Sequence, residues 1–289
     1  MARKRKRVAE KPEKVEEDVP LPSVRMSDEP VKKKPKWVNK ERVLVFSSRG
    51  ILHRDRHLMM NFRTLMPHAK PETKMDRKDQ LFVINEVAEM KNCTKCLYFE
   101  SKKKKDLYLW AANTTKGPSA KFLVENVHTM EELKMTGNCL KGSRPLLSFD
   151  KAFDEQPHWA LLKELFIQVF GTPRHHPKSQ PFVDHVFTFS IKDNRIWFRN
   201  YQILEENAEL AEIGPRMVLN PIRIFQGSFG GPTLYLNDHY VSPNESRRVE
   251  RKKAGVKYVN RMVAKKSLED RRPDVSYPID PTDDVFQTG

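Results

Sequence analysis

The 289-residue sequence contains few cysteines and no long apolar segment. Its three cysteines are too few for the disulfide framework of a small secreted domain. No apolar run approaches the roughly 18 residues of a transmembrane helix, and the basic start is unlike the apolar core of a signal peptide. We therefore expect a protein of a reducing, intracellular compartment with no membrane partner, in which the sequons at Asn92 and Asn113 carry no glycan.

Groups of residues that bind a metal ion are also missing from the sequence. Cys93 and Cys96 have the C-x-x-C spacing, but zinc needs a second pair or suitable histidines, and Cys139 stands alone. The pair His175-His176 has no third ligand at a useful spacing, so we expect it in a solvated or phosphate-contacting loop. The sequence predicts no metal site and no cofactor.

A catalytic constellation is equally absent. The glycine-rich segment 227–232 lacks the Lys-Ser/Thr of a P-loop and does not open a helix, so it predicts a tight turn. Asp150, Asp154 and Glu155 lie in a polar connector, where carboxylates normally face water. We therefore predict that the protein is not an enzyme. An RNA-processing activity would become plausible if Asp150 and Asp154 converged on a divalent ion.

Positive charge, by contrast, is abundant and unevenly distributed. The chain has 53 Lys and Arg against 38 Asp and Glu, a net charge of +15 and a pI of about 9.6. Segment 241–272 holds 11 basic and 4 acidic residues, whereas 42–240 holds 29 and 22. Because phosphate contacts and counterion release supply much of nucleic-acid affinity, this surplus favours an anionic partner such as RNA.

The N-terminal segment 1–40 is rich in Pro, Glu and Lys, and Trp37 is its only large aromatic residue. Such a composition cannot bury enough apolar surface to offset ordering, which predicts a disordered basic arm. Its first cluster is typical of nuclear-import signals; the residues are Arg3, Lys4, Arg5, Lys6 and Arg7. A nonspecific basic arm is a compatible alternative.

The middle of the chain predicts helices and strands in an order that occurs twice. The first run has a buried strand at 43–46, a helix ending before Pro67, a helix over about 78–92 with Met90 facing inward, an aromatic hairpin (96–99, 107–110), and a strand after Gly117-Pro118. The second has a helix over 159–169, a hairpin (186–189, 196–199), a short helical stretch near 204–212, and the strand Met217–Phe225 after Gly214-Pro215. This repeated order predicts a duplicated α/β core.

The C-terminal basic segment 243–272 predicts an amphipathic helix. Ser242, Pro243 and Glu245 occupy the N-cap, N1 and N3 positions of a capping box. A thin stripe of valines should dock on the body and leave the basic face free; its members are Val249, Val256, Val259 and Val263. The remaining residues 273–289 are expected to form an extended tail.

One strand of the second hairpin alternates basic and aromatic residues. The alternation places Arg195, Trp197, Arg199 and Tyr201 on one face, and guanidinium groups among flat rings suit stacked bases and phosphates. In the alternative interpretation the rings pack under a helix and the arginines form salt bridges.

Further RNA-binding candidates are the basic residues of turns, a loop and the C-terminal helix: Arg49, Arg54, Arg56, Lys103, Lys104, Arg174, Arg216, Arg247 and Arg248.

Several longer motifs resemble the Brix-domain family of eukaryotic ribosome-assembly factors, over roughly residues 41–272. They are the Ser47-Ser48-Arg49 turn, the Gly214-Pro215-Arg216 strand entry, SRPLLSFD at 143–150, FGTP at 170–173, HPKS at 176–179 and IWFRNYQI at 196–203. The resemblance implies two similar α/β halves, each akin to the anticodon-binding domain of certain aminoacyl-tRNA synthetases. We place the halves at 41–130 and 181–242, with 131–180 as a connector and helix.

The resemblance also implies a function. Family members bind pre-ribosomal RNA in the nucleolus, alongside ribosomal proteins and a dedicated protein partner. The motifs of the middle block are those of members that act in early precursors of the large ribosomal subunit. A protein–protein adaptor with little direct RNA contact is the alternative.

Overall fold

The computed structural model describes residues 41–76, 80–132, 137–204 and 209–272, together with residues 282 and 285. The predicted basic arm at 1–40, its import cluster Arg3–Arg7 and nearly all of the predicted tail at 273–289 lie outside the described residues. Within the described ranges, no helix combines the length and apolar character that crossing a bilayer requires.

Eleven strands form one mixed sheet that runs through the described chain. The strands are β1 Val43–Ser47, β2 Ala69–Pro71, β3 Lys95–Lys102, β4 Asp106–Asn113, β5 Ser119–His128, β6 Pro145–Phe149, β7 His185–Lys192, β8 Arg195–Ile203, β9 Leu210–Glu212, β10 Arg216–Phe225 and β11 Thr233–Leu236. Their order across the sheet is β2-β1-β3-β4-β5-β10-β8-β7-β6, with β9 paired to β8 and β11 paired to β10.

This order is mirrored about the central antiparallel pair, β5 and β10. On one side β1 runs parallel to β3, and on the other β6 runs parallel to β7. Leu123 pairs with Asn220 at the centre, and each lies six residues after the glycine of its own Gly-Pro dipeptide. The predicted mixed α/β class is confirmed, and β6, from the segment expected as a connector, belongs to the sheet.

In the described ranges, four helices and one short 3-10 helix accompany the sheet; they are α1 His53–Leu65, α2 Val83–Met90, α3 Pro157–Phe170, α4 Pro243–Arg271 and the 3-10 helix Lys151–Asp154. The helices α1 and α3 pack on the same face of the sheet. Phe62 of α1 and Phe170 of α3 are in ring contact, with centroids 5.7 Å apart, and both rings contact Phe198 of β8. The two halves therefore share one apolar core, and truncating such a buried ring typically costs about 3–5 kcal/mol.

The opposite face of the sheet is covered unevenly. Ile84 and Ala88 of α2 pack over β1, β3 and β4, where Leu44 and Tyr98 are fully buried. On β6 and β7, no described helix packs on this face, and Ser190 is exposed there. Among the described residues, this face therefore carries a helix in the first half and none in the second.

The glycine-rich segment 227–232 packs beside Gly117 and the start of β5. Gly117 has a φ of +79°, and a Cβ there would lie 2.1 Å from the carbonyl oxygen of Gln226, so only glycine fits. Ser119 Oγ donates to the Gly227 carbonyl (2.7 Å) and accepts from the Phe229 amide (3.0 Å). Segment 227–232 connects β10 to β11, where a tight turn was predicted, and these two hydrogen bonds hold it against the start of β5.

Two local predictions are wrong. Met90 was expected to face inward but is 74% exposed, because α2 ends there and only Ile84 and Ala88 are buried on it. The stretch near 204–212 was expected to be helical, but Leu210–Glu212 pairs with Tyr201–Ile203 as a strand, and residues 205–208 lie outside the described ranges. Sheet pairing here overrides the helix propensity of Leu, Ala and Glu.

The buried histidine His68 makes the free energy of unfolding depend on pH. Its Nε2 donates to the Val169 carbonyl (3.0 Å), and burial, reinforced by nearby His176, lowers its pKa to about 4. Burial also lowers the pKa of His158, His176 and His185. The unfolded chain therefore binds more protons than the folded chain between about pH 6.5 and pH 4.

We predict that the free energy of unfolding decreases as the pH falls through this window, by up to about 3 kcal/mol from His68 at pH 4. The variant His68→Gln keeps a donor for Val169 but cannot take up the proton, so its stability should depend less on pH. Urea denaturation at several pH values measures both slopes. Identical slopes for the variant and the wild type would contradict the assignment.

Candidate nucleic-acid interface

The basic and aromatic face of β8 lies on the open side of the sheet. Ile196 and Phe198 are fully buried in the core, as predicted, which turns Trp197 to the opposite face. Trp197 is half-buried, and its Nε1 is a buried atom with no hydrogen-bond partner among the described residues. The predicted alternation is confirmed, and no described helix covers these rings.

The arginines of this face are neutralised by glutamates. Arg195 forms an ion pair with Glu125 (Nη1–Oε2 3.0 Å). Glu212 takes two hydrogen bonds from Arg216 and lies 3.9 Å from Arg199. The hydrogen bonds from Arg216 to Glu212 raise the pKa of that guanidinium further. This face is therefore polar and aromatic, but it has little net charge.

The basic residues around the first turn divide into paired and unpaired groups. Arg49 pairs with Asp76 (Nε–Oδ1 2.6 Å), and Arg54 lies 3.4 Å from Asp55. Arg56 is exposed and forms no ion pair with the part of the chain that the structure describes. Arg63 on the same helix donates to the Val45 carbonyl (3.1 and 2.7 Å), which makes it a structural residue.

The loop after α3 is only partly solvated. Arg174 is exposed there without an ion pair among the described residues. His175 is also exposed, with a φ of +60°, whereas His176 is 8% exposed and packs toward His68. The expectation of a solvated pair thus holds for His175 and is wrong for His176, because the loop folds back onto the end of α3.

The turn between β3 and β4 presents its lysines to solvent, as predicted. Lys103 and Lys104 have φ values of +53° and +52°, in the left-handed region where lysine costs about 1–2 kcal/mol. The corresponding turn of the second half uses Asp193 and Asn194, residue types that tolerate this region. A strained lysine pair at an exposed tip indicates a role for the charge itself.

Helix α4 begins beside this turn. The Ser242 hydroxyl accepts from the Glu245 amide (3.2 Å), which confirms the predicted cap. Both terminal nitrogens of Arg247 donate to the Asp106 carboxylate at 2.8 and 2.6 Å. These hydrogen bonds hold the pKa of Asp106 below its usual range. Asp106, at the start of β4, thereby attaches the first turn of α4 to the lysine turn.

The predicted docking of the valine stripe is wrong. None of the residues of α4 is buried, and Val256 is 59% exposed. The helix is held at its first turn by a polar contact, so the apolar stripe has nothing to pack against among the described residues. Several cations of the helix are exposed without an ion pair in the described ranges; they are Arg248, Arg251, Lys252, Lys253, Lys257 and Lys266. We call these residues, together with Arg247 and Lys102–Lys105, the α4–turn surface.

Of the residues set aside in the sequence analysis, Cys93 and Cys96 are structural, whereas Asp150, Asp154 and Glu155 are exposed to solvent, as predicted. Cys93 and Cys96 are buried, and burial raises the pKa of both thiols. Asp154 forms a salt bridge with Lys163 (2.7 Å). In the described ranges, no group of three or more His, Cys, Asp or Glu residues is arranged to hold a metal ion.

Comparison with known proteins gives a consistent result. The sequence model of the Brix domain matches residues 48–223. The chain is 69% identical over 257 residues to the human ribosome biogenesis protein BRX1 homolog, covering 88% of this chain and 73% of that protein. The Drosophila melanogaster protein of that name is 59% identical over 278 residues, 94% of this chain and 77% of the relative. A solved structure, a probable ribosomal biogenesis protein from Aeropyrum pernix K1, aligns with a TM-score of 0.45 at 14% identity, covering 68% of this chain and 99% of that one.

Reversing the charges of Arg195 and Arg199 tests their ion pairs with Glu125 and Glu212. The sequence alone predicts that Arg195→Glu with Arg199→Glu weakens RNA binding at an unchanged thermal midpoint. The structure predicts a loss of about 1–2 kcal/mol in unfolding free energy, since two ion pairs become contacts between like charges. Urea denaturation measures this, with Arg56→Glu plus Arg174→Glu as a matched double reversal at unpaired positions. Equal stabilities of the two double variants would contradict the prediction.

Removing the Asp106 carboxylate tests the attachment of α4. We predict that Asp106→Asn speeds amide hydrogen exchange in the first turns of α4 and leaves the thermal midpoint unchanged, because the helix buries no residue of its own. Asp238→Asn, an exposed carboxylate with no ion pair in the described chain, is the control. Unaltered exchange in Asp106→Asn would show that other contacts hold the helix.

Proposed function

The chain belongs to the Brix-domain family of ribosome biogenesis proteins, and from that membership we propose that it is a non-enzymatic, RNA-binding assembly factor. In this proposal it binds pre-ribosomal RNA in early nucleolar precursors of the large subunit, beside ribosomal proteins and a dedicated protein partner. The names of the relatives support a role in ribosome biogenesis and in pre-ribosomal particles. The nucleolus and the large subunit follow from the family resemblance alone.

The observation that best supports the proposal of RNA binding is the bidentate contact between Arg247 and Asp106. It brings the four lysines of the β3–β4 turn next to a helix with ten basic and four acidic residues. Two segments far apart in sequence become one cationic surface. Phosphates neutralised by such a surface release counterions, which is the main source of sequence-independent nucleic-acid affinity.

The exposure of α4 suits this role. A helix of 29 residues is about 43 Å long and can follow a phosphate backbone over many nucleotides. Because no side chain of α4 is buried, its cations are accessible around the whole helix. The neutral face of β8 is less suited to phosphate, so we assign the main electrostatic contact to the α4–turn surface.

The adaptor alternative draws on a different region. A cavity of about 730 Å³ lies beside the loops that flank β7 and β8, and Leu140 (61%), Phe182 (41%) and Val183 (47%) are exposed there. Exposed apolar residues around a cavity are typical of protein contacts. The neutralised arginines of β8 fit the same function, which would coexist with RNA binding or replace it.

Salt dependence separates the two functions. We predict that the affinity of the full chain for a pre-ribosomal RNA fragment falls steeply between about 50 and 200 mM salt. Replacing Lys252, Lys253 and Lys257 with Gln should lower the slope of log affinity against log salt by about 0.7 for each phosphate that the variant no longer neutralises. Fluorescence anisotropy of labelled RNA measures the slopes.

The matched control replaces three exposed lysines outside the α4–turn surface, Lys116, Lys141 and Lys192, with Gln. This variant has the same net charge as the first, and its slope should stay that of the wild type. Binding that does not depend on salt would contradict the RNA proposal and favour the adaptor.

A further inference from the structure

A second cavity, of about 640 Å³, lies where β4, β5, β10 and β11 meet the segment that leads into α4. One wall is basic, with Lys102, Lys121 and Arg223. The apolar wall includes Phe225 and Leu236. The volume is in the range of pockets that bind small ligands.

The basic wall contains an unusual cross-strand pair. In the sheet register, Arg223 of β10 stands opposite Lys121 of β5 on one side and Leu236 of β11 on the other. Like charges directly opposite each other on neighbouring strands destabilise a sheet. An anion between the two cations would remove this repulsion.

Only one member of this pair is neutralised. Lys121 lies 3.0 Å from Glu100, which also accepts from Trp110 Nε1 at 3.0 Å. Burial acts to raise the pKa of Glu100, but Lys121 and Trp110 outweigh it and keep the carboxylate ionised. Arg223 is exposed and forms no ion pair within the described part of the chain, and the same holds for Lys102.

The rings of Tyr108 and Trp110 in the cavity are already in contact with other side chains. Lys121 Nζ lies 4.7 Å from the Trp110 ring centroid and 4.9 Å from that of Tyr108, and Phe225 stacks against Trp110 at 5.9 Å. A base therefore finds no free face on Trp110. Leu236, which is 49% exposed, offers accessible apolar surface beside Arg223.

We propose that this cavity binds one unpaired nucleotide of the RNA, with its phosphate on Arg223 and its base against Leu236. The inference rests on the proposed function and adds an oriented site to it. Proteins that recognise RNA commonly bind unstacked bases of loops and single strands in this way. Because Ser242, the cap of α4, also lines the cavity, the nucleotide would set the position of the RNA at the start of that helix.

The test uses the full chain and a fluorescein-labelled, thiouridine-substituted single-stranded oligouridylate of about 12 nucleotides, within the usual length of single-strand sites. The variant Arg223→Gln should bind roughly fivefold more weakly, with a salt slope lower by about 0.7 because one phosphate is no longer neutralised. Leu236→Ala should weaken binding roughly threefold at an unchanged salt slope, since it removes an uncharged contact. Photo-crosslinks of the wild type should fall on peptides that contain Phe225 or Leu236.

Matched controls are available on the same chain. Lys116→Gln removes the same charge away from the cavity, and Leu234→Ala truncates an exposed leucine of β11 that does not line it. Both should bind as the wild type does. Because Arg223 and Leu236 are exposed, all variants should keep the wild-type thermal midpoint, which circular dichroism verifies.

The outcomes separate the two proposals. If the wild type binds with a steep salt slope while the cavity variants match it in affinity and crosslinks, the nucleotide site is overturned and the proposed function stands. The same result is expected if the cavity holds an acidic segment of a protein instead. If the wild type shows no salt-dependent binding, the proposed function fails, and the nucleotide site fails with it.

Discussion

The antiparallel pairing of β5 with β10 is the contact on which the rest of the structure depends. It joins the equivalent strands of the two halves at the centre of one sheet, with Leu123 opposite Asn220. Because the sheet is continuous, α1 and α3 lie side by side on one face, and Phe62 and Phe170 share a core. The same pairing brings Lys121 and Arg223 together at the second cavity.

The two halves are alike in strand order but differ in how their other face is covered. In the first half α2 covers part of the sheet, and the side chains beneath it form a buried apolar cluster. In the second half that face stays open, and Trp197 is flanked by arginines paired with Glu125 and Glu212. The two halves therefore share a strand order, but only the first has a described helix on this face of the sheet. The difference gives the molecule an asymmetric surface for its partners.

Ion pairs between distant segments, as well as composition, determine where positive charge is exposed on this protein. The cations of β8 are cancelled locally, whereas those of α4 and the β3–β4 turn are left exposed and joined through Asp106. A single acidic residue at a hairpin end therefore attaches the first turn of the basic helix to the lysine turn. Ion pairs between solvent-exposed groups contribute little to stability, so contacts of this kind serve placement more than folding.

The sequence by itself determined the local structure. Apolar spacing predicted α1, α3 and both hairpins, the capping box predicted the start of α4, and the repeated order of elements predicted the duplicated core. These succeed because periodicity and capping involve neighbouring residues. Only the tertiary structure decided that Glu125 and Glu212 neutralise the β8 arginines, that Leu210–Glu212 is a strand, and that the valine stripe of α4 stays exposed. Those outcomes depend on strand register and on contacts between distant segments, which local spacing does not encode.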